Sequence, residues 1–266
     1  MIEWWQAAVL AVLQGLTEFL PISSSAHLVI PSLMLGWRDQ GLAFDVAVHV
    51  GTLSAVLVYF RRDLIGLCGA LLQGAREGRM NDGCRQVLFL AAATLPVVIT
   101  GFLLNDVIEE HLRTPVVIAA TTLVFGLALG LADRVARRDI QRDLTLNVAL
   151  LVGLAQAVAP IPGVSRSGVT ITAGLLLGLG HQRAARFSFL LSIPVIAGAG
   201  LLKGRDLLLL ETPVPWLQLL LAAALAGITA YACIAAFLRL IDRIGLMPFV
   251  YYRIVLALAL VTLWLA

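Results

Sequence analysis

The chain has 266 residues, of which 60% are hydrophobic and only 13% charged, with a formal net charge of +3. That composition excludes a disordered chain and argues against a soluble globular domain. The small positive charge sits in loop arginines and is not a nucleic-acid signature, so no nucleic-acid partner is expected.

Apolar runs near twenty residues recur from end to end, which predicts an all-α polytopic membrane protein; a β-barrel would show short alternating segments instead. The N-terminal Met1-Ile-Glu3-Trp4-Trp5 lacks the basic n-region of a signal peptide. In chain order, a first apolar stretch over about 4–36 is broken at Pro21. Ordinary spans follow at about 44–60, 86–104 and 115–132. A second broken stretch covers 144–180, interrupted at Pro160-Ile-Pro162-Gly163. Three more spans follow at 187–203, 216–238 and 248–265. Each broken stretch reads as a re-entrant pair of half-helices, because proline lacks an N–H and cannot continue the first half while a serine N-caps the second. Cys68, Cys84 and Cys233 are scattered, without metal or redox spacing, and read as small packing residues.

The halves of this single membrane domain resemble each other. Phe44 to Leu64 aligns with Phe187 to Leu207, and the run from Gln86 with that from Gln218. Repeat 1 covers about 1–132 and repeat 2 about 144–266. One re-entrant pair plus three spans in each half gives an odd number of crossings, hence an inverted-topology repeat. Thirteen arginines then fall in segments 61–85, 133–143, 181–186 and 239–243, against Arg38, Arg113, Lys203 and Arg205 on the other side. The positive-inside rule puts both termini and the first re-entrant pair outside. Arg166 and Arg253 stay in the membrane zone; Arg253, near a span end, suits snorkelling to the inner interface.

Two polar clusters interrupt this oil. Gln14-Gly-Leu-Thr-Glu18-Phe-Leu-Pro21-Ile-Ser23-Ser24-Ser25-Ala-His27 brings a carboxylate, hydroxyls and an imidazole. Pro162-Gly163-Val-Ser165-Arg166-Ser167-Gly168-Val-Thr170 brings a guanidinium. A charge near the bilayer centre costs roughly 2.5–3.5 kcal/mol on insertion scales, so it needs a partner or a task. Gln14 and Glu18, four apart, share a helix face. Ser23, Ser24 and Ser25 lie at a helix start, where free N–H groups and the dipole favour an anion. His27 lies on about the face of Ser24, within reach of its hydroxyl. Gly163 lets the backbone approach a ligand, and Arg166 offers a fork that matches phosphate oxygens. If the two breaks meet, they enclose a volume suited to a diphosphate, with Glu18 and His27 able to move protons. A purely structural Glu18–Arg166 bridge is the plainer alternative. His49, Asp45 and His181 are weaker candidates: His49 falls on a span near the site, where core packing or a pore-lining role fits equally well, and His111 and His181 read as loop residues.

At these residues the sequence resembles the bacitracin-resistance-type undecaprenyl-diphosphate phosphatases over nearly its whole length. The carriers are the two clusters, matching (E/Q)xxxE and PGxSRSxxT patterns, with Arg186-Phe-Ser-Phe-Leu-Leu-Ser-Ile-Pro194 and Pro248-Phe-Val-Tyr-Tyr-Arg253. The resemblance implies an enzyme of the bacterial inner membrane that hydrolyses undecaprenyl diphosphate to undecaprenyl phosphate and phosphate. That reaction recycles the carrier for wall synthesis and counters bacitracin. It implies a catalytic set of Glu18, Ser24, His27 and Arg166, with Ser24 as nucleophile. Gln14, Ser23, Ser25, Gly163, Ser165, Ser167 and Thr170 are the candidate substrate-binding residues. It further implies a divalent cation, magnesium or calcium, with Glu18 as candidate ligand. Some members of the family carry glutamate where this chain has Gln14. Attack by Ser24, its proton passing to His27 or Glu18, and attack by a Glu18-activated water are both open, as is a homodimer. The alternative class is a transporter or flippase of an anionic lipid phosphate, since broken helices in inverted repeats suit either.

Overall fold

The structure, a computed structural model, describes residues 2–136, 142–208 and 215–265. Arg137 and Arg138, counted among the arginines that orient the chain, lie outside them. The described residues are helical and carry no strand. Six helices are long and apolar enough to cross a membrane: α3 (Gly41–Tyr59), α5 (Asp82–Leu103), α7 (Pro115–Ala136), α10 (His181–Leu208), α11 (Trp216–Ile244) and α12 (Met247–Leu265). They match the six expected spans to within a few residues at most ends. This is a multi-pass membrane protein.

The two broken stretches each give a pair of short helices. The first gives α1 (Trp4–Thr17) and α2 (Ser24–Leu35), and the second α8 (Leu146–Gln156) and α9 (Arg166–Leu176). At 1.5 Å per residue the longest of these, α1, measures about 21 Å, short of the roughly 30 Å hydrocarbon layer. Two further helices were not anticipated. α4 (Arg61–Glu77) and α6 (Asn105–His111) fall in segments read as connections. α4 mixes Arg61, Arg62, Asp63 and Arg76 with leucines that fit no continuous apolar run; its buried Leu67 and Gly74 face inward, and the helix packs along α5.

The long helices form the frame. α11 packs along α3, and α12 along α7; α1 lies against α11, α8 against α5, and α9 against α7. The largest buried cluster joins Phe19, Phe60, Phe189 and Phe237 with Ile171, Leu175 and Ile234. It includes Phe19 of the first break and Ile171 and Leu175 of α9.

Irregular backbone packed among apolar helices must find hydrogen-bond partners inside the protein. Here side chains on the spans supply them. Thr100 donates to the Ala157 carbonyl at 2.8 Å, Thr121 to Pro162 at 2.6 Å, and Cys233 Sγ to Leu16 at 3.2 Å. Gly163, at φ +90°, presses its α-carbon against α7: a Cβ there would lie 2.1 Å from Thr121 Oγ1 and 2.5 Å from the Ile118 carbonyl. The close approach that this glycine permits is therefore to a helix.

Arg253 overturns the snorkelling expectation. It is fully buried rather than reaching an interface. Its guanidinium donates to the carbonyls of Pro21 in the first break and of Gly163 and Val164 in the second, and to Thr121 and Thr122 of α7. Gly126 and Gly168 flank the side chain closely enough that a Cβ on either would come within 3.0–3.1 Å of it. Position near the end of a helix suggested an outward path, but neighbouring carbonyls left unpaired by the breaks draw the guanidinium inward. Replacing Arg253 by methionine should strand these carbonyls and cost about 3 kcal/mol, lowering the melting temperature of the purified protein by about 6–12 °C. A melt within 2 °C of wild type would show that the carbonyls do not depend on Arg253.

Candidate active site

The two breaks touch. Gly163 N–H donates to Ser25 Oγ at 3.4 Å, and Ser167 Oγ donates to the Leu20 carbonyl at 2.9 Å. Both second half-helices start alike. Ser23 caps α2 at φ 73° and Ser165 caps α9 at φ 69°; they are the non-glycine residues with positive φ among those described. Each hydroxyl accepts from the N–H three residues on, Ala26 at 3.5 Å and Gly168 at 3.1 Å, and each lies near the hydroxyl two residues on, Ser25 at 3.1 Å and Ser167 at 3.2 Å. A left-handed serine is strained, and such strain persists only where the surroundings fix it.

Glu18 is the hub. Its Oε1 accepts from Arg166 Nη2 at 3.0 Å. Its Oε2 accepts from Ser24 Oγ and from Gln14 Nε2, each at 2.9 Å. Both charged side chains are largely buried, 8% exposed for Glu18 and 10% for Arg166. The guanidinium also donates to the Ser188 carbonyl at 3.3 Å and stands over the Phe19 ring. A hydroxyl, a carboxylate able to take its proton and a cation able to bind phosphate thus share one group.

The other expected residues divide. His27 does not pair with Ser24. Its Nδ1 lies 2.6 Å from the Ser23 carbonyl and its Nε2 2.6 Å from the Tyr252 hydroxyl, with the rings stacked. A carbonyl only accepts, so Nδ1 carries hydrogen and the neutral ring accepts from Tyr252. Thr170 donates to the Arg166 carbonyl of its own helix and meets Ser188 Oγ at 2.7 Å. The hydroxyls of Ser23, Ser165, Ser167 and Thr170 are committed to the breaks themselves, while Ser25 is exposed. His27 shared a face with Ser24 by spacing alone, but its contact with Tyr252 turns it elsewhere, and Thr170 is held by Arg166 and Ser188.

An open cavity of about 640 Å³ adjoins this hub. Ser25, His49 and Pro162 form part of its wall, and Asp39, Asp45, Arg113 and Lys203 stand around it. His49 Nε2 lies 3.8 Å from Glu18 Oε2, which brings it to the site; the sequence had left it between packing and lining. Among the described residues no group of three or more His, Cys, Asp or Glu is placed to hold a metal ion. Glu18, the one carboxylate of the motif, is already engaged by three donors. These residues do not by themselves form a resident cation site.

The fold and the site define a multi-pass helical membrane protein with a carboxylate–guanidinium–serine centre at two joined helix breaks. A family profile described as "Bacitracin resistance protein BacA" matches residues 7–259, and the chain belongs to that family. It is 54% identical to a protein of Alcanivorax borkumensis named undecaprenyl-diphosphatase, over 99% of this chain and all of the relative. It is 51% identical to one of Hahella chejuensis with that name, over 98% of both chains. A third undecaprenyl-diphosphatase, from Teredinibacter turnerae, is 54% identical over 95% of this chain and 96% of its own.

Removing one partner of a buried ion pair strands the other at a cost of about 3–5 kcal/mol. Glu18→Gln and Arg166→Met should each destabilise the protein by that order, and the double variant should lose less than the two combined. Denaturation of the four proteins measures this; strictly additive losses would mean that the charges do not share their energy.

Proposed function

We propose that this chain hydrolyses undecaprenyl diphosphate to undecaprenyl phosphate and inorganic phosphate, the activity for which its relatives are named. By returning the lipid carrier to wall synthesis it confers bacitracin resistance, as the family's description indicates. The observation that carries the mechanism is the shared carboxylate, with Ser24 Oγ and Arg166 Nη2 both on Glu18 at 2.9 and 3.0 Å.

In this reading the prenyl tail stays in lipid and the diphosphate enters through the cavity. Its oxygens replace Glu18 as partners of Arg166, aided by first-turn N–H groups of α2 and α9. Phosphoryl transfer asks of a protein mainly positioning and charge neutralisation. Glu18, released from Arg166, takes the Ser24 proton as Oγ attacks the terminal phosphorus and undecaprenyl phosphate leaves. Water then frees phosphate from the serine. His27, held between Ser23 and Tyr252, fixes the start of α2; Ser25 and Gln14 complete the wall and orient Glu18. A divalent cation, magnesium or calcium, would accompany the diphosphate as its counter-ion.

The same reading places α1–α2 and α8–α9 as re-entrant pairs of a single inverted-repeat domain, 1–132 and 144–266. Support comes from the matched caps at Ser23 and Ser165 and from the crossed packing of α1 on α11 and α8 on α5. The arginine-rich segments face the cytoplasm, and the termini, the first pair and the cavity mouth face the outer side of the inner membrane. Surrounding lipid, and a second copy of the chain in a homodimer, complete its partners.

Purified protein in detergent, given a short prenyl diphosphate, should release phosphate with no second compartment present; a pure transporter or flippase would release none. Ser24→Ala should abolish a phosphate-labelled enzyme intermediate. Arg166→Ala should lower turnover about 10²–10³-fold, as for loss of a transition-state donor. Near-normal turnover in Arg166→Ala would remove the guanidinium from the chemistry.

A further inference from the structure

In the first half-reaction Glu18 receives the proton of Ser24. While it keeps that proton it can return it to Oγ as the serine leaves phosphorus, and a second group is then free to take the proton of the attacking water. Gln14, beside Glu18, is an amide and cannot serve. His27 has both ring nitrogens engaged and lies away from the cavity wall.

His49 is placed to take it. It stands on α3 with Nδ1 2.7 Å from the carbonyl of Asp45, one turn back. A carbonyl accepts only, so Nδ1 carries the hydrogen and Nε2 of the neutral ring presents its lone pair. That atom faces Glu18 Oε2 at 3.8 Å, beyond a direct hydrogen bond. The side chain is 37% exposed, against 8% for Glu18, and forms part of the wall of the 640 Å³ cavity. It is the point at which the buried carboxylate meets the space through which water arrives. Ser24 Oγ at 2.9 Å and His49 Nε2 at 3.8 Å approach the same carboxylate oxygen.

We propose that His49 is the general base that activates water against the phosphoserine. This rests on the serine-nucleophile reading above. In the second half-reaction a water oxygen bonds to phosphorus and the bond from phosphorus to Ser24 Oγ breaks. The proton of the water passes to His49 Nε2, and Glu18 returns its proton to Ser24. Phosphate leaves through the cavity, and His49 releases its proton to water there. The charged groups around the ring are Glu18 from the first break, Asp45 on α3, and Asp39, Arg113 and Lys203 around the cavity. A protonated His49 would lie against Glu18 as an ion pair.

Rapid-quench kinetics on the full-length protein in detergent, with a prenyl diphosphate labelled in its terminal phosphate, test this. His49→Gln and His49→Ala should release one equivalent of prenyl phosphate at the wild-type rate and accumulate labelled Ser24. Their steady-state turnover should fall about 10²-fold, and added imidazole should restore turnover in His49→Ala through the open cavity. Wild-type decay of the labelled serine in both variants overturns the assignment of His49 and leaves the serine mechanism intact. Loss of the first-turnover burst in a variant that melts like wild type, without imidazole rescue, also overturns it. Absence of labelled serine in every protein, with turnover continuing in wild type, instead removes the serine mechanism and His49's role with it.

Discussion

Backbone broken between packed apolar helices must be hydrogen-bonded by the protein itself, and one side chain meets a large part of that demand here. Arg253 joins the carbonyls of both breaks to those of α7, so that the two turns, distant in sequence, become a single rigid feature. Burying a guanidinium is costly unless its donors are used. Spread over five carbonyls, the charge is compensated, and the same bonds relieve the carbonyls. Thr100, Thr121, Ser167 and Cys233 bond further carbonyls at and beside the breaks.

With the breaks locked, a second buried arginine can be used differently. Arg166 begins α9 and meets a single carboxylate, a carbonyl and an aromatic face. The contrast is physical: Arg253 is saturated by backbone carbonyls, whereas Arg166 is paired with a side chain, Glu18. Arg253 lies in a long apolar helix and Arg166 at the start of a short one. Ser24 and Arg166 take separate oxygens of Glu18, and in the proposed mechanism a phosphate arriving on Arg166 would free the carboxylate for the serine proton.

Much of the architecture was legible because lipid imposes simple rules. Twenty apolar residues are needed to span, so the six long helices stood out; proline and glycine in an otherwise apolar stretch marked the two breaks. α4 was not legible, since an amphipathic helix lying along α5 has no continuous apolar run to announce it. At the site, Glu18, Ser24 and Arg166 could be singled out as polar groups in oil, and they do come together. His27 could not be assigned by its spacing from Ser24, because one of its two partners, Tyr252, lies 225 residues away. Nor could Gly163, whose bare α-carbon serves α7.

By itself the sequence determined that the chain is helical and membrane-bound, where its helices stop, and which few groups carry charge into the apolar zone. These follow from local rules of hydropathy, proline geometry and the cost of burying charge. Only the tertiary structure decided which charge meets which: that Arg253 seals the breaks, that Glu18 holds Ser24 and Arg166 together, and that His49 stands between this carboxylate and the cavity. A hydrogen bond depends on distances of a few tenths of an ångström between helices far apart in the chain, and no local rule contains that information.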